Sequence, residues 1–148
     1  MVLWTARYHV RDVDRLDITR MGCDRLVRAG KPAPGEFLAP SWEILKPALE
    51  WRRAFEARCA RQGLDEEAEF FRVYTARYRA EMVVSYRTRR AEWDALLARE
   101  RVTIVCFCPD PAYCHRSLAA GFLAKCGVDY RGELTEADRV PPPPRLRT

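Results

Sequence analysis

Short hydrophobic runs at three places along the chain predict β-strands. They cover residues 2–8, 102–108 and 128–134, and they are rich in β-branched and aromatic side chains. The run at 102–108 is apolar at nearly every position, which is typical of a strand buried on both faces of a sheet. A weaker alternation of apolar and polar residues over 16–21 predicts a fourth, short strand.

The chain between residues 41 and 99 instead repeats apolar residues every three or four positions, the spacing of amphipathic helices. Ser41 is a suitable N-cap for a short helix over residues 42–46. Pro47 is expected to break this helix, kink it or begin the next one. Gly63 is a plausible end of the helix that follows.

Acidic residues at 65–67 favour the start of a further helix, because carboxylates stabilise the positive N-terminal end of a helix. Its apolar residues form a stripe that predicts core packing: Phe71, Tyr74, Tyr78 and Met82. Thr88 is expected to cap a last helix, which precedes the strand at 102–108. Residues 41–99 are therefore predicted to form a helical insertion.

A strand, a tight loop and a helix follow one another after residue 101. Prolines within 109–111 end the strand, residues 114–116 begin a helix, and Gly127 is placed where a helix C-terminal glycine belongs. The strand at 128–134 then completes a right-handed βαβ unit with parallel strands. The predicted fold class is α/β, a small, mostly parallel sheet flanked by helices.

This segment also carries the candidate chemistry, because Cys114, His115 and Arg116 are expected beside the carboxyl end of a strand, where ligands bind in α/β sheets. A helix N-terminus binds anions and lowers the pKa of a cysteine placed there. Arg116 offers a planar set of donors for phosphate or carboxylate, and His115 can exchange a proton or ligate a metal. Cys106 and Cys108 lie two positions apart on a strand and point to one face.

Three interpretations of these residues stay open at this point. The favoured one is an anion-binding or nucleophilic site. The second is a metal site, because a C-x-C pair and a later C-H offer up to four soft or borderline ligands, although adjacent residues point in different directions on a helix. The third is that the cysteines are small buried hydrophobic residues and that Arg116 pairs with a nearby carboxylate.

The favoured interpretation gives each residue a role and places no metal at the site. Cys114 is the nucleophile or reactive thiol, His115 exchanges a proton, and Cys108 resolves an oxidised Cys114. The residues predicted to bind the ligand are Arg116, Arg7, Tyr8, Arg20 and Cys106. The ligand is expected to be a small, phosphate-bearing or nucleotide-like anion. Such residues are compatible with a cysteine-dependent transferase or hydrolase, but the sequence does not determine whether the protein is an enzyme or which reaction it catalyses. Any cofactor is also undetermined.

Side-chain placement on this helix makes two stability predictions. Leu118, Phe122 and Leu123 are expected on the apolar side, so that truncating Leu118 or Phe122 to alanine should cost about 2–5 kcal/mol. Arg116 is expected on the ligand-facing turn, so that Arg116→Ala should cost about 1 kcal/mol or less.

The pattern C-F-C-x5-C-H-R-x-L-A that begins at Cys106 resembles the hallmark of the domain-of-unknown-function family 488 (DUF488). Leu-Ala-Pro-Ser at residues 38–41 and Tyr-Arg-Gly-Glu at residues 130–133 extend the resemblance, which covers most of the chain. The resemblance implies a small Rossmann-like α/β domain and brings no settled activity with it.

The length of 148 residues is that of one domain, expected over residues 1–136, with a proline-rich tail at 137–148 that is expected to be extended and mobile. The chain begins without the basic and apolar regions of a secretory signal and has no long apolar stretch, so we expect a cytoplasmic protein with no membrane partner. Six cysteines then predict reduced thiols rather than disulfides.

The formal net charge of +5 permits a polyanionic partner without requiring one. Six arginines on the face opposite the helical stripe suggest an alternative function, that of a nucleic-acid-binding accessory protein: Arg72, Arg77, Arg79, Arg87, Arg89 and Arg90. A solvated helix face is the commoner explanation of such a run of charges. A structural zinc module is the second alternative, and the oligomeric state is undetermined.

Overall fold

A computed structural model of the chain describes residues 1–11, 14–57, 63–108 and 114–135. Its elements in chain order are β1 Val2–Arg7, β2 Arg15–Asp17, α1 Arg20–Arg28, a 3-10 turn Glu36–Leu38, α2 Trp42–Ala57, α3 Gly63–Thr88, α4 Arg90–Leu97, β3 Arg101–Cys106, α5 His115–Lys125 and β4 Asp129–Leu134. The boundaries predicted for the proline-rich tail fall outside the described residues.

The four strands form one sheet in the order β2-β3-β1-β4, and every neighbouring pair is parallel. Five α-helices flank this sheet in the described part of the chain, which confirms the α/β prediction. The strands β3 and β4, which α5 connects, are parallel as expected, and β1 lies between them. The carboxyl ends of all four strands therefore meet at one edge of the sheet.

The region of residues 16–21 is a strand only at its start. Asp17 ends β2, and its carboxylate accepts hydrogen bonds from the backbone N–H (2.8 Å) and the hydroxyl (2.6 Å) of Thr19. The same hydroxyl oxygen caps α1 by accepting from the N–H of Gly22 at 3.0 Å. These short-range polar contacts outweigh the weak alternation and turn the chain into a helix.

The helical insertion is present, with three corrections to its predicted boundaries. Gly63 is the first residue of α3 and not the end of the helix before it. Pro47 lies inside α2 rather than ending it. Thr88 is the last residue of α3, and its hydroxyl donates to the carbonyl of Val84 at 2.8 Å, so the prediction that it caps the next helix is wrong. Arg89 is the N-cap of α4 instead, without a side-chain cap. A threonine hydroxyl that bonds back into its own helix is not available to cap the following one.

The core joins the sheet to α3, α4 and α5 in one cluster of buried residues. From α3 it takes Tyr74, Tyr78 and Met82, as the predicted stripe requires. From α5 it takes Ala119, Ala120 and Leu123, whereas Leu118 and Phe122 are only partly buried beside it. The apolar side of α5 is thus centred about one position away from where the sequence placed it.

The arginines of the helical surface are in part engaged by neighbouring carboxylates. Arg72 pairs with Glu69 at 2.6 Å and Arg90 with Asp94 at 2.9 Å, while Arg89 contacts two glutamates. Intrahelical pairs of this kind are typical of a solvated face, and a nucleic-acid partner stays a prediction. Among the described residues, we find no helix that is both long and apolar enough to cross a bilayer.

Candidate functional site

Three cysteines and a histidine meet where β3 ends and α5 begins. Cys106 is the last residue of β3, Cys108 follows two positions later, Cys114 is the N-cap of α5 and His115 is its first residue. One ligand atom from each, three sulfurs and an imidazole nitrogen, lies within 4.8 Å of every other. We call these four residues the thiol cluster. The sequence placed Cys108 on the strand, but β3 ends at Cys106, so the chain after the strand and not strand alternation brings Cys108 to the cluster.

The orientation of the His115 ring is fixed by a backbone group. Its Nε2 lies 3.0 Å from the carbonyl oxygen of Ile18. A carbonyl only accepts hydrogen bonds, so Nε2 carries the hydrogen and the lone pair of the neutral ring is on Nδ1. That Nδ1 lies 3.9 Å from the sulfur of Cys114. In the neutral ring, Nδ1 is therefore the nitrogen that can accept a hydrogen bond on the side of the thiols.

Burial encloses most of the cluster. Cys106, Cys114 and His115 are 0%, 1% and 5% exposed, and the ring of Tyr78 stands 5.9 Å from that of His115. Because Tyr78 belongs to α3, the helical insertion forms one wall of the site. Cys108 is the partly exposed member, so the approach to the cluster from solvent is at this residue.

Arg116 lies under the cluster with no exposed surface. Its Nη1 donates to the sulfur of Cys106 at 3.1 Å, to that of Cys114 at 3.4 Å and to the carbonyl of Cys108 at 2.6 Å. Its Nε and Nη2 donate to one carboxylate oxygen of Glu133 at 3.0 and 2.8 Å. The predicted role of Arg116 in holding an exogenous anion stays a prediction, since its donors here meet acceptors of the protein itself.

The thiols differ in their readiness to ionise. Hydrogen bonds from Cys106 and Cys114 lower the pKa of Cys108 well below its ordinary value. The hydrogen bond that Cys106 gives to Cys108 raises the pKa of Cys106 to about 11. Burial raises the pKa of Cys114, so the expected lowering by the helix N-terminus is wrong. The thiolate character of the cluster is centred on Cys108.

Glu133 was given no role by the sequence, although it is the counter-ion of Arg116. Burial works to lower the pKa of Arg116, but the bonds to Glu133 and the nearby sulfurs outweigh it and hold that pKa above its ordinary value. Thr5 supports the carboxylate from β1 by donating to its other oxygen at 2.5 Å. The signal that points to Glu133 is an acid within the sequence of β4, the strand after α5, because a buried arginine needs a carboxylate.

The remaining predicted ligand-binding residues lie outside the cluster. Arg7, at the end of β1, is exposed and is paired in register with Cys106. Tyr8 stacks on Phe107 with 4.0 Å between ring centroids and hydrogen-bonds the carbonyl of Cys106 through its N–H. Both stand at the same edge of the sheet as the thiols.

Arg20 lies outside the thiol cluster, and its guanidinium is bound by other groups of the protein. Its guanidinium donates to the carbonyl of Pro40 at 2.8 Å and pairs with Glu36 at 3.1 Å and with Asp24 at 3.3 Å. It ties α1 to the loop before α2, and the thiol cluster does not include it. Its predicted contact with a ligand stays untested.

Comparison with known proteins identifies the family to which the chain belongs. A family model described as the active DUF488-N3 subclade, DUF488-N3a, matches residues 3–127. The chain belongs to the DUF488 family. The match contains β1 to α5, and with them the whole thiol cluster and Arg116, while Glu133 lies beyond it. No curated protein and no solved structure matches the chain significantly.

Proposed function

We propose that this DUF488 protein is a metal-binding domain that holds one divalent ion of the zinc type through the thiol cluster. The observation that carries the proposal is the convergence of the four ligand atoms, on Cys106, Cys108, Cys114 and His115, within 4.8 Å. The residues come from the end of a strand and the start of the next helix, within the segment 106–115.

The donor set and its dimensions suit zinc. Three thiols and one imidazole form a Cys₃His set, which is common in structural zinc sites. With bonds of about 2.3 Å to sulfur and about 2.0 Å to nitrogen, tetrahedral ligand atoms stand about 3.5 Å apart for a sulfur and a nitrogen and about 3.8 Å apart for two sulfurs. The 3.9 Å between Cys114 Sγ and His115 Nδ1 exceeds the first of these values by about 0.4 Å. Small rotations about the side-chain bonds are enough to complete the geometry.

The groups behind the ligands support the same assignment. A metal-bound histidine usually donates its other N–H to a carboxylate or a backbone carbonyl, and His115 does so to Ile18 at 3.0 Å. Three thiolates and one divalent ion carry a net charge of −1, and the buried guanidinium of Arg116 lies between this charge and the carboxylate of Glu133. Its N–H groups point at two of the sulfurs, at 3.1 and 3.4 Å, as donors to metal-bound thiolates do.

A set of four protein ligands leaves no position for a substrate, which is the pattern of structural sites. When bound, the ion keeps the thiols deprotonated and fastens the end of β3 to the start of α5. The carbonyl of Ile18 holds the ring of His115 in place, and Arg116 donates hydrogen bonds to the sulfurs of Cys106 and Cys114.

Metal analysis tests the proposal. Protein purified under reducing conditions and loaded with zinc is expected to retain one ion per chain after gel filtration, and cobalt should give the intense absorption of thiolate-to-metal charge transfer. Cys106→Ser and Cys114→Ser should lose both, whereas Cys126→Ser, at an exposed position outside the cluster, should lose neither. Zinc that fails to bind stoichiometrically to the unaltered chain would refute the proposal.

A second function, the cysteine-dependent chemistry on a small anion predicted from sequence, is favoured by the exposure of Cys108. This thiol is half-buried at the carboxyl edge of the sheet, the edge at which the exposed Arg7 ends β1, and the matching family model is described as active. In chelator-treated protein, iodoacetamide should then modify Cys108 faster than the exposed Cys126, and phosphate should slow the reaction. Equal or slower labelling of Cys108 that phosphate does not change would contradict this second function.

A further inference from the structure

The last strand contains an irregularity that decides which way Glu133 points. Along β4, Val2 pairs with Asp129 and Leu3 with Tyr130, but Thr5 pairs with Glu133 and Ala6 with Leu134. Between the second and third of these pairs the strand has gained one residue relative to β1. Such an insertion is a β-bulge, which changes the direction of the side chains that follow it.

Without the bulge, Glu133 would face the wrong side. Regular pairing would place Gly132 opposite Thr5 and Glu133 opposite Ala6, since side chains alternate between the faces of a sheet. Thr5 and Ala6 lie on different faces, and Ala6 packs in a separate small cluster with Val10 and Val105. A one-residue slip moves a side chain to the other face. The bulge therefore brings Glu133 to the face where Thr5 and Arg116 are.

Gly132 makes this bulge possible. Its φ of +108° lies in the left-handed half of the conformational map, which other residues rarely adopt. A Cβ added at Gly132 would meet no atom within 4 Å, so the backbone conformation, and not lack of space, is what requires glycine. Gly132 is therefore required for its backbone conformation and not for the space around it.

Both carboxylate oxygens of Glu133 accept hydrogen bonds. One oxygen of Glu133 receives Nε and Nη2 of Arg116, and the other receives the hydroxyl of Thr5 at 2.5 Å. The hydroxyl of Tyr130, from the same strand, lies 2.8 Å from that of Thr5. With two of its three nitrogens held in this way, Arg116 has only Nη1 left to point at the sulfurs of the cluster.

We propose that Glu133 is a positioning residue for the thiol cluster, aimed by the Gly132 bulge so that Arg116 is held against the sulfurs. This inference rests on the proposed metal site for its effect on affinity. The positioning of Arg116 itself does not depend on a metal. Glu133 touches no ligand atom and acts on the site only through the guanidinium.

Two variants break the arrangement in different ways. Glu133→Ala removes the carboxylate, and Gly132→Ala disfavours the φ of +108° on which the bulge depends. Glu133→Gln retains an oxygen that can accept both Arg116 donors and serves as the conservative rescue. Gly30→Ala is the matched control, because Gly30 also has a positive φ, of +69°, and open space around it, but lies after α1, away from the cluster.

The affinity for zinc, measured by competition with a chromophoric chelator, is expected to fall about 10–100-fold in Glu133→Ala and Gly132→Ala, the usual range for loss of a group that supports metal ligands. Glu133→Gln should bind zinc nearly as the unaltered chain does, and Gly30→Ala should bind it equally well. Unchanged affinity in Glu133→Ala, or an equal loss in Gly30→Ala, would overturn the proposal.

A second measurement needs no metal. In ¹H–¹⁵N NMR spectra of the chelator-treated protein, the Nε–H of Arg116 should give a signal protected from solvent exchange, lost in Gly132→Ala and retained in Glu133→Gln. An unaltered chain that binds no zinc would refute the proposed function, while this signal would still decide the role of Glu133. Persistence of the signal in Gly132→Ala would refute the positioning role. Should Glu133→Ala fail to fold, the glutamine and Gly132 variants carry the test.

Discussion

Replacing Arg116 with alanine should strongly destabilise the fold, contrary to the expectation drawn from the sequence. The side chain is 0% exposed, and Glu133, its partner, is 24% exposed. Removing one member of a buried ion pair typically costs about 3–5 kcal/mol, because the other charge is left uncompensated. Since Glu133 can reach some water, we expect the lower end, about 3 kcal/mol. The carbonyl of Cys108 also loses its donor.

Urea unfolding followed by circular dichroism, with a chelator present to remove any metal, measures this cost. For a chain of this size, about 3 kcal/mol corresponds to a fall in melting temperature of roughly 6–12 °C. The double variant Arg116→Met/Glu133→Gln should recover part of the loss, because it removes both charges together. Arg131→Ala is the control: Arg131 pairs with Asp129 but is 54% exposed, so its loss should cost about 0.5 kcal/mol or less.

A free energy of unfolding of Arg116→Ala within about 1 kcal/mol of the unaltered chain would refute the reasoning, since it would place the variant among ordinary surface substitutions. A double variant no more stable than Arg116→Ala would also contradict it. In that case the cost would come from lost packing around the arginine stem, and not from the unpaired carboxylate.

Two further predictions concern parts of the fold away from the cluster. Burial works to raise the pKa of Glu36, but hydrogen bonds from Arg20 and Arg89 outweigh it, so the folded pKa is below the unfolded one. Glu36 thus contributes stability at neutral pH that is lost as the pH falls below about 5; Glu36→Gln should flatten the dependence of the urea midpoint on pH there, and an unchanged slope would contradict this. On α5, Leu123→Ala should lower the free energy of unfolding by about 2–5 kcal/mol, and Phe122→Ala should lower it clearly less in the same urea assay. The reason is that Leu123 is 0% exposed whereas Phe122 is only partly buried. The reverse order would show that the apolar side of α5 is not centred on Leu123.

The sequence was sufficient for features that depend on nearest neighbours and on regular spacing. The three main strands, the stripe from Tyr74 to Met82 and the helix end at Gly127 all follow from periods of two or 3.6 residues and from the conformational freedom of glycine. The cluster was also visible as a C-x-C and C-H spacing, although Cys108 lies beyond the end of β3 and strand alternation does not account for its position.

The surroundings of the cluster could not be predicted, because they depend on distant parts of the chain. Arg116 at a helix N-terminus suggested an exposed anion ligand, and only the bulge in β4 brings Glu133 to it. The pKa of Cys114 was expected to fall, and burial beneath α3 raises it. Neither the one-residue bulge in β4 nor the packing of α3 against the site can be recognised from the spacing of neighbouring residues in the sequence.

The position of β1 in the sheet has a consequence for how the protein assembles. Val2–Arg7 pairs on one side with β3, beginning at Arg101, and on the other with β4, beginning at Asp129. During synthesis β1 therefore waits for both of its partner strands until about a hundred further residues have been made, and closing so long a loop slows folding. Helices α1 to α4, whose hydrogen bonds are local, can form during this time. The sheet, and with it the thiol cluster at its edge, is completed last.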